Sequence, residues 1–157
     1  MFSTLCDRQY DLWTRNGSVI SLPTNKTVIT YLGIPFAKAE RFEYPVPPDK
    51  WTSTLQANKT DKICPQPSLP GRPSRLSLMS EDCLLLNVYV PGNATSNSQL
   101  AVMLWIHGGA YIIGDTLFYD GSLLATEWSR LLTVWEFLDF WPHIAIIWKG
   151  TTACWIR

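Results

Sequence analysis

A short glycine-rich string follows the most apolar stretch of the sequence. Residues 100–106 are continuously apolar and run directly into His107, Gly108, Gly109 and Ala110. Glycines allow the main chain to turn sharply, and two backbone N–H groups that point at one spot stabilise the oxyanion of an acyl-transfer intermediate. Taken alone, the string indicates either an ordinary turn or an oxyanion hole.

The cysteines and asparagines point to an oxidising, secretory compartment. Cys64 and Cys83 flank 18 residues rich in proline, serine and glycine. A disulfide would close this loop, and two buried free thiols are the alternative. Four of the six asparagines lie in N-x-[ST] sequons, whereas chance in a chain rich in serine and threonine gives about one. The candidate N-glycosylation sites are Asn16, Asn25, Asn58 and Asn93.

Composition and charge exclude several classes of protein. Apolar residues make up 46% of the 157 residues, which excludes global disorder. Lys+Arg and Asp+Glu both total 13, so the basic footprint of a nucleic-acid partner is absent. The longest apolar run has seven residues, far below the roughly 20 that a membrane span needs. The N-terminus as written carries no signal peptide, and we expect neither a metal site nor a cofactor.

The elements that would position the glycine-rich string are strands. An Asn-Gly pair between two apolar runs is the strongest short signal for a hairpin, and a buried strand that ends in a glycine-rich loop is typical of the ligand-binding edge of an α/β sheet. Residues 35–75 hold most of the prolines and predict irregular chain. The predicted strands are 10–15 and 18–22 as a hairpin around Asn16-Gly17, 27–34, 84–90, and 100–106 buried on both faces.

Several strings in order carry a resemblance to one family. Residues 80–91 read SEDCLLLNVYVP, and Glu81–Pro91 resembles the signature of the type-B carboxylesterase/cholinesterase family of α/β-hydrolases, with Leu85 where Tyr or Thr is commoner. Four further segments resemble the family in the same order: Tyr31–Ala37, Arg41–Trp51, Cys64–Gln66 and Phe118–Thr126.

The resemblance covers residues 10–126 and implies the fold. It implies the N-terminal portion of an α/β-hydrolase, with a small antiparallel N-terminal sheet plus the first strands of the central sheet, and thus an incomplete fold. The substrate of the parent enzyme would be a small-molecule carboxylic ester, and the parent would be secreted.

The resemblance also assigns roles in the glycine-rich string. Gly109 and Ala110 would supply the oxyanion-hole N–H groups, and Gly108 would shape the turn. Ala110 replaces the usual third glycine, so its methyl group would narrow the pocket and limit φ. His107 is not the catalytic histidine of the family and is expected either to support the residues of the site from behind or to pack.

Two further pairs follow from the resemblance. Cys64 and Cys83 would form a disulfide that closes the loop at the rim of the family's active-site gorge. Arg41 and Glu81 match a buried ion pair, whose role is structural because breaking one side would strand a charge.

The serine nucleophile of the family is missing from these residues. The family places it in G-x-S-x-G, and that motif does not occur here. A triad built from Ser122 or Ser129 with His143 is a remote alternative. We therefore expect a truncated hydrolase that is inactive alone. The alternative is a non-catalytic binding or adhesion-type member, or a short isoform, of the same fold.

Residues 127–157 differ from the rest of the chain. They contain five of the eight tryptophans and do not resemble the family. We predict a divergent, non-homologous tail beyond residue 126. Three alternatives remain open for this tail: a short helix over 127–140 that covers the sheet, an amphipathic helix that binds a partner, or an unselected, aggregation-prone segment.

Overall fold

The described part of the chain forms a six-stranded mixed sheet, a two-stranded sheet and one α-helix. The computed structural model describes residues 15–68, 75–95, 97–98, 100–110, 112–127, 131–135 and 146–147. The strands are β1 Arg15–Asn16, β2 Ser18–Ser21, β3 Thr27–Pro35, β4 Leu55–Gln56, β5 Leu85–Pro91, β6 Val102–Ile106, β7 Leu131–Trp135 and β8 Ile146–Ile147, and the helix is α1 Ser122–Glu127. Short 3-10 turns cover Leu76–Leu78 and Thr116–Phe118.

The larger sheet has the strand order β2-β3-β5-β7-β6-β8. Neighbouring strands in this sheet are antiparallel except for β6 and β7, which run parallel to each other. Parallel neighbours need a crossover connection, and α1 lies within the connection from β6 to β7. The glycine-rich string is therefore placed at the carboxyl end of β6, where a strand leads into its crossover.

The hairpin predicted around Asn16-Gly17 is wrong. The hairpin instead joins β2 to β3. In its turn the Leu22 N–H donates to the Lys26 carbonyl and the Asn25 N–H donates to the Leu22 carbonyl, with Asn25 at a φ of 59°. β1 pairs in parallel with β4. Gly17 serves close packing, because a Cβ there would lie 2.6 Å from the carbonyl oxygen of Thr30.

The strands predicted at 27–34 and 84–90 are confirmed as β3 and β5. The strand predicted at 100–106 is confirmed as β6 over a shorter range, but its burial on both faces is wrong. Val102 is 39% exposed, and the other β6 side chains are half-buried. The physical reason is that α1, only six residues long, packs against β5 and β3.

The core lies on both faces of β5. Tyr89 packs with Val28 and Ala125 on one face, and Val88 packs with Ile34 on the other. Successive strand residues point to opposite faces, so Val28 and Ile34 reach different faces only because the register of β3 shifts between Tyr31 and Ile34.

Asn87 of β5 holds that register shift. Its Oδ1 accepts the Gly33 N–H at 2.9 Å and the Thr60 hydroxyl at 2.5 Å. Gly33 has a φ of 73°, and a Cβ there would lie 2.5 Å from the Lys59 carbonyl oxygen. The buried amide therefore joins the bulge of β3 to the segment after β4.

The start of the tail is a strand, so the helix considered over 127–140 is wrong. α1 ends at Glu127, and β7 then pairs with β5 on one side and β6 on the other. A main chain in that slot satisfies its N–H and C=O groups toward both neighbours. The remaining tail, apart from β8, lies outside the described residues. So do four of its tryptophans, Trp128, Trp141, Trp148 and Trp155.

Within the described ranges, no helix has the length and apolar character needed to cross a bilayer.

Candidate active site

The glycine loop, residues 107–114, follows β6 directly. The Gly109 carbonyl accepts the N–H groups of Ile112 and Ile113 at 3.0 and 3.1 Å, which closes a tight turn. Gly109 has a φ of 152°, and a Cβ there would lie 1.4 Å from the Ile113 carbonyl oxygen. Only glycine fits at this position.

Ala110 adopts a φ of 55° despite its side chain. Ala110 therefore occupies the left-handed region even though it carries a methyl group. For a residue with a Cβ, this conformation costs about 1 kcal/mol relative to the right-handed one. Among the described residues, no acceptor takes the N–H of Gly109 or of Ala110. The oxyanion-hole role of these two N–H groups stays a prediction.

His107 is buried at the start of the loop. Its ring stacks on Tyr119, with centroids 6.1 Å apart and planes 7° apart. Its Nδ1–H donates to the Gly108 carbonyl at 3.0 Å, and its Nε2 has no partner within the described part of the chain. These contacts give His107 a packing role.

Gln66 binds the far end of the glycine loop, and sequence reasoning assigned it no role. Its Nε2 donates to the Gly114 carbonyl at 2.9 Å, and the Gly114 N–H donates to its Oε1 at 3.0 Å. The same Nε2 also donates to the Cys64 carbonyl at 3.1 Å. No local sequence signal could have found a contact between residues 48 positions apart.

Arg75 and Asp115 form a second unforeseen contact beside the loop. The Asp115 side chain is only 2% exposed and is ion-paired with Arg75. Its Oδ1 accepts the Leu117 N–H at 2.9 Å and so caps the 3-10 turn at Thr116–Phe118. An Asp before a short helical turn is a recognisable cap signal, whereas nothing local marks Arg75 as its partner.

The two pairs implied by the resemblance both form, with one difference. Cys64 and Cys83 are joined by a disulfide, with Cα atoms 5.0 Å apart. Arg41 and Glu81 are ion-paired, but each side chain is 55% exposed. The implied burial of this pair is wrong, and an exposed ion pair contributes at most about 1 kcal/mol.

Ser122 shows none of the features of a nucleophile. Its hydroxyl donates to Asp120 Oδ1 at 2.5 Å, its N–H donates to the same oxygen at 2.9 Å, and the residue is buried. Ser129 and His143, the other members of the remote triad alternative, lie outside the described residues. Ser122 therefore begins α1 as a structural residue.

A half-open cavity of about 130 Å³ lies beside the glycine loop rather than at it. Tyr89 is buried there, its hydroxyl donates to the Tyr119 carbonyl at 3.4 Å, and burial raises the pKa of its phenol. The cavity is lined by Leu32, Thr60, Asn87, Tyr89, Thr116, Leu117, Tyr119 and Asp120.

The described residues contain no cluster of His, Cys, Asp and Glu suited to a metal ion.

Comparison with known protein families shows which family the chain belongs to. The model of the carboxylesterase family matches residues 14–134. The chain belongs to the carboxylesterase family. Membership implies the α/β-hydrolase fold, and the mixed sheet with its few helices is consistent with part of such a domain. The match runs eight residues past the boundary predicted at 126 (134 − 126), and that boundary itself stays a prediction.

The curated relatives of this carboxylesterase-family chain are named as hydrolases or esterases. Acylcarnitine hydrolase of Mus musculus is 43% identical over an alignment of 125 positions, and the match covers 71% of this chain and 22% of that protein. Cocaine esterase of Homo sapiens is 39% identical, with 69% and 22% covered. Para-nitrobenzyl esterase of Bacillus subtilis is 43% identical, with 66% and 22% covered. The chain thus spans less than a quarter of the length of each of these three relatives.

Proposed function

We propose that this chain supplies the oxyanion-hole loop of a serine carboxylic-ester hydrolase. The observation that carries the proposal is the pair of N–H groups on Gly109 and Ala110, which follow β6 and have no acceptor among the described residues. When a nucleophile attacks an ester, the carbonyl oxygen gains negative charge, and donors at about 2.7–3.1 Å stabilise it. Gly108 precedes these donors and shapes the turn, and the substrate is a small-molecule carboxylic ester.

A chimera tests the oxyanion hole. The segment of para-nitrobenzyl esterase that matches this chain is replaced by the corresponding residues of this chain. We expect the chimera to hydrolyse a para-nitrobenzyl ester. Gly109→Ala should lower kcat about 100-fold or more with little change in KM. A Cβ at this position would lie 1.4 Å from the Ile113 carbonyl oxygen, so the main chain must shift and displace the two N–H donors that serve the transition state.

Ala110→Gly is the matched control for that chimera. It keeps the N–H and relieves the left-handed strain, so kcat should stay within a few fold of the unmodified chimera. A folded, active chimera whose kcat is unaffected by Gly109→Ala would contradict the proposal.

The 157 residues by themselves are proposed to be inactive. They contain no G-x-S-x-G, and an oxyanion hole without a nucleophile forms no acyl-enzyme. The purified chain should neither turn over a short-chain nitrophenyl ester nor be labelled by a fluorophosphonate. Clear turnover with a covalently labelled serine would contradict this.

A non-catalytic binding or adhesion-type member, or a short isoform, of the same fold is the second candidate. The chimera separates the two candidates. A chimera that folds, as judged by circular dichroism and cooperative unfolding, but has no esterase activity supports the binding function.

The secretory pathway is the proposed compartment. The Cys64–Cys83 disulfide supports it, because cytosolic thiols are kept reduced. The four sequon asparagines, which are all exposed, support glycosylation. Intact mass spectrometry of the natural protein before and after glycosidase treatment is the test, and an unchanged mass would count against glycosylation. The candidate sites are Asn16, Asn25, Asn58 and Asn93.

A further inference from the structure

The disulfide loop, residues 64–83, contacts the far end of the glycine loop and the residue that follows it. Gln66 binds the main chain of Gly114, and Arg75 binds the side chain of Asp115. We propose that Gln66 and Arg75 are positioning residues through which the disulfide loop holds the glycine loop in shape, so that reduction of Cys64–Cys83 loosens it. The functional meaning of this control rests on the proposed oxyanion hole.

The Gln66 contact fixes one end of the glycine loop from two directions. Its amide makes both a donor and an acceptor bond to Gly114, which leaves that peptide little freedom to rotate. On its other side Gly114 packs against His107, since a Cβ there would lie 2.4 Å from the imidazole ring. Because His107 and Gly114 bracket the loop, fixing their contact fixes the span that carries Gly109 and Ala110.

The Arg75 contact fixes the residues that follow. Asp115 is almost fully buried, so its carboxylate needs a partner in place of water. Arg75 supplies the charge, and its guanidinium also lies 4.3 Å from the centroid of the Phe118 ring. One side chain of the disulfide loop thereby holds both ends of the 3-10 turn that follows the glycine loop.

The disulfide brings these two side chains to the same surface. Gln66 lies two residues after Cys64, and its amide also binds the Cys64 carbonyl, so the bridge anchors it directly. The opposite arm of the loop is held by Ile63, whose N–H donates to the Leu78 carbonyl and whose carbonyl accepts the Ser80 N–H, both at 2.9 Å. Loss of the bridge removes the covalent link between the arms. Among the described residues it leaves the two main-chain bonds of Ile63 and the exposed Lys62–Asp82 ion pair.

Hydrogen–deuterium exchange of the full chain, read by mass spectrometry, tests the proposal. The readout is the exchange rate of peptides covering residues 108–117, divided by that of the β2–β3 hairpin in the same sample. Gln66→Leu, Arg75→Gln and the double variant Cys64→Ala/Cys83→Ala should each raise this ratio about tenfold or more, as expected for the loss of two hydrogen bonds or a paired charge. The double variant isolates this bridge from Cys6 and Cys154, which lie outside the described residues.

Matched controls separate positioning from general stability. Gln56→Leu removes an exposed amide bond to Asn16, and Arg41→Gln removes the exposed pair with Glu81. Both should leave the ratio unchanged. Gln66→Glu keeps an acceptor for the Gly114 N–H but loses the donor, so it should give an intermediate ratio. An unchanged ratio in Gln66→Leu and Arg75→Gln, or equal acceleration in loop and hairpin, overturns the proposal.

The esterase chimera distinguishes this proposal from the proposed function. If both hold, Gln66→Leu in the chimera lowers kcat and leaves KM nearly unchanged. If the chimera is inactive, the oxyanion-hole role fails, while the exchange ratio still decides whether the disulfide loop positions the glycine loop.

Discussion

Ala110 has a main-chain conformation that its side chain disfavours. It takes a left-handed φ of 55° beside Gly109, in a turn that suits glycine. Ala110→Gly is therefore expected to raise the free energy of unfolding by about 0.5–1 kcal/mol, the Cβ strain less the extra entropy of unfolded glycine. Urea denaturation measures it.

Ala125→Gly is the control for that prediction. Ala125 is fully buried in α1, where glycine is unfavourable, so this change should lower stability by about 1 kcal/mol or more. A loss of stability in Ala110→Gly would contradict the strain at that position.

Tyr89 carries a predicted pH dependence. Burial, with a smaller effect of the Asp120 charge, raises the pKa of its phenol above the ordinary value of 10.0. The unfolded chain therefore loses this proton first as the pH rises, and the folded state is destabilised from about pH 10 up through the raised pKa. Tyr89→Phe should flatten the fall in stability between pH 9 and 11, measured by urea unfolding.

Tyr44→Phe is the matched comparison, because Tyr44 is 91% exposed. It should leave the alkaline fall in stability as in the unmodified chain. An identical pH profile for Tyr89→Phe and Tyr44→Phe would count against a role for Tyr89.

At the scale of elements, the bulge of β3 decides which side chains reach which face of the sheet. Asn87 accepts bonds from Gly33 and Thr60 at this bulge and is itself buried. Asn87→Ala leaves the Gly33 N–H without its acceptor, so stability should fall by about 2 kcal/mol. Thermal or urea unfolding gives the value.

Asn97→Ala, at an exposed turn position, should change stability little. Equal, small effects of Asn87→Ala and Asn97→Ala would show that the bulge does not depend on the buried amide.

At the scale of the molecule, large apolar side chains lie on the surface of the described residues. Phe42 is 95% exposed and Tyr44 is 91% exposed. Exposed apolar surface of this kind promotes association. We expect the isolated chain to self-associate and to unfold over a broad temperature range, with Phe42→Ser/Tyr44→Ser reducing association in sedimentation velocity. A monomeric chain with a sharp, reversible transition would contradict this.

Much of the fold followed from local pattern. The β-branched run at 27–34 and the apolar run at 84–90 became β3 and β5 because strand propensity acts over a few residues. The hairpin was misplaced because its turn lies at Asn25 and not at Asn16-Gly17. Gly17 instead packs against β3, a contact that no local pattern indicates. The strand at β7 was missed because its place between β5 and β6 depends on partners far away in the chain.

By itself, the sequence determined the family and the position of the glycine loop after an apolar strand, and the family resemblance implied the pairing of Cys64 with Cys83. Each depends on residue types in short strings, which constrain the main chain locally. Only the tertiary structure decided that Gln66 and Arg75 hold the loop and that the Arg41–Glu81 pair is exposed. These contacts join residues 40 to 48 positions apart, and such contacts form only where the packing of the sheet brings distant segments together.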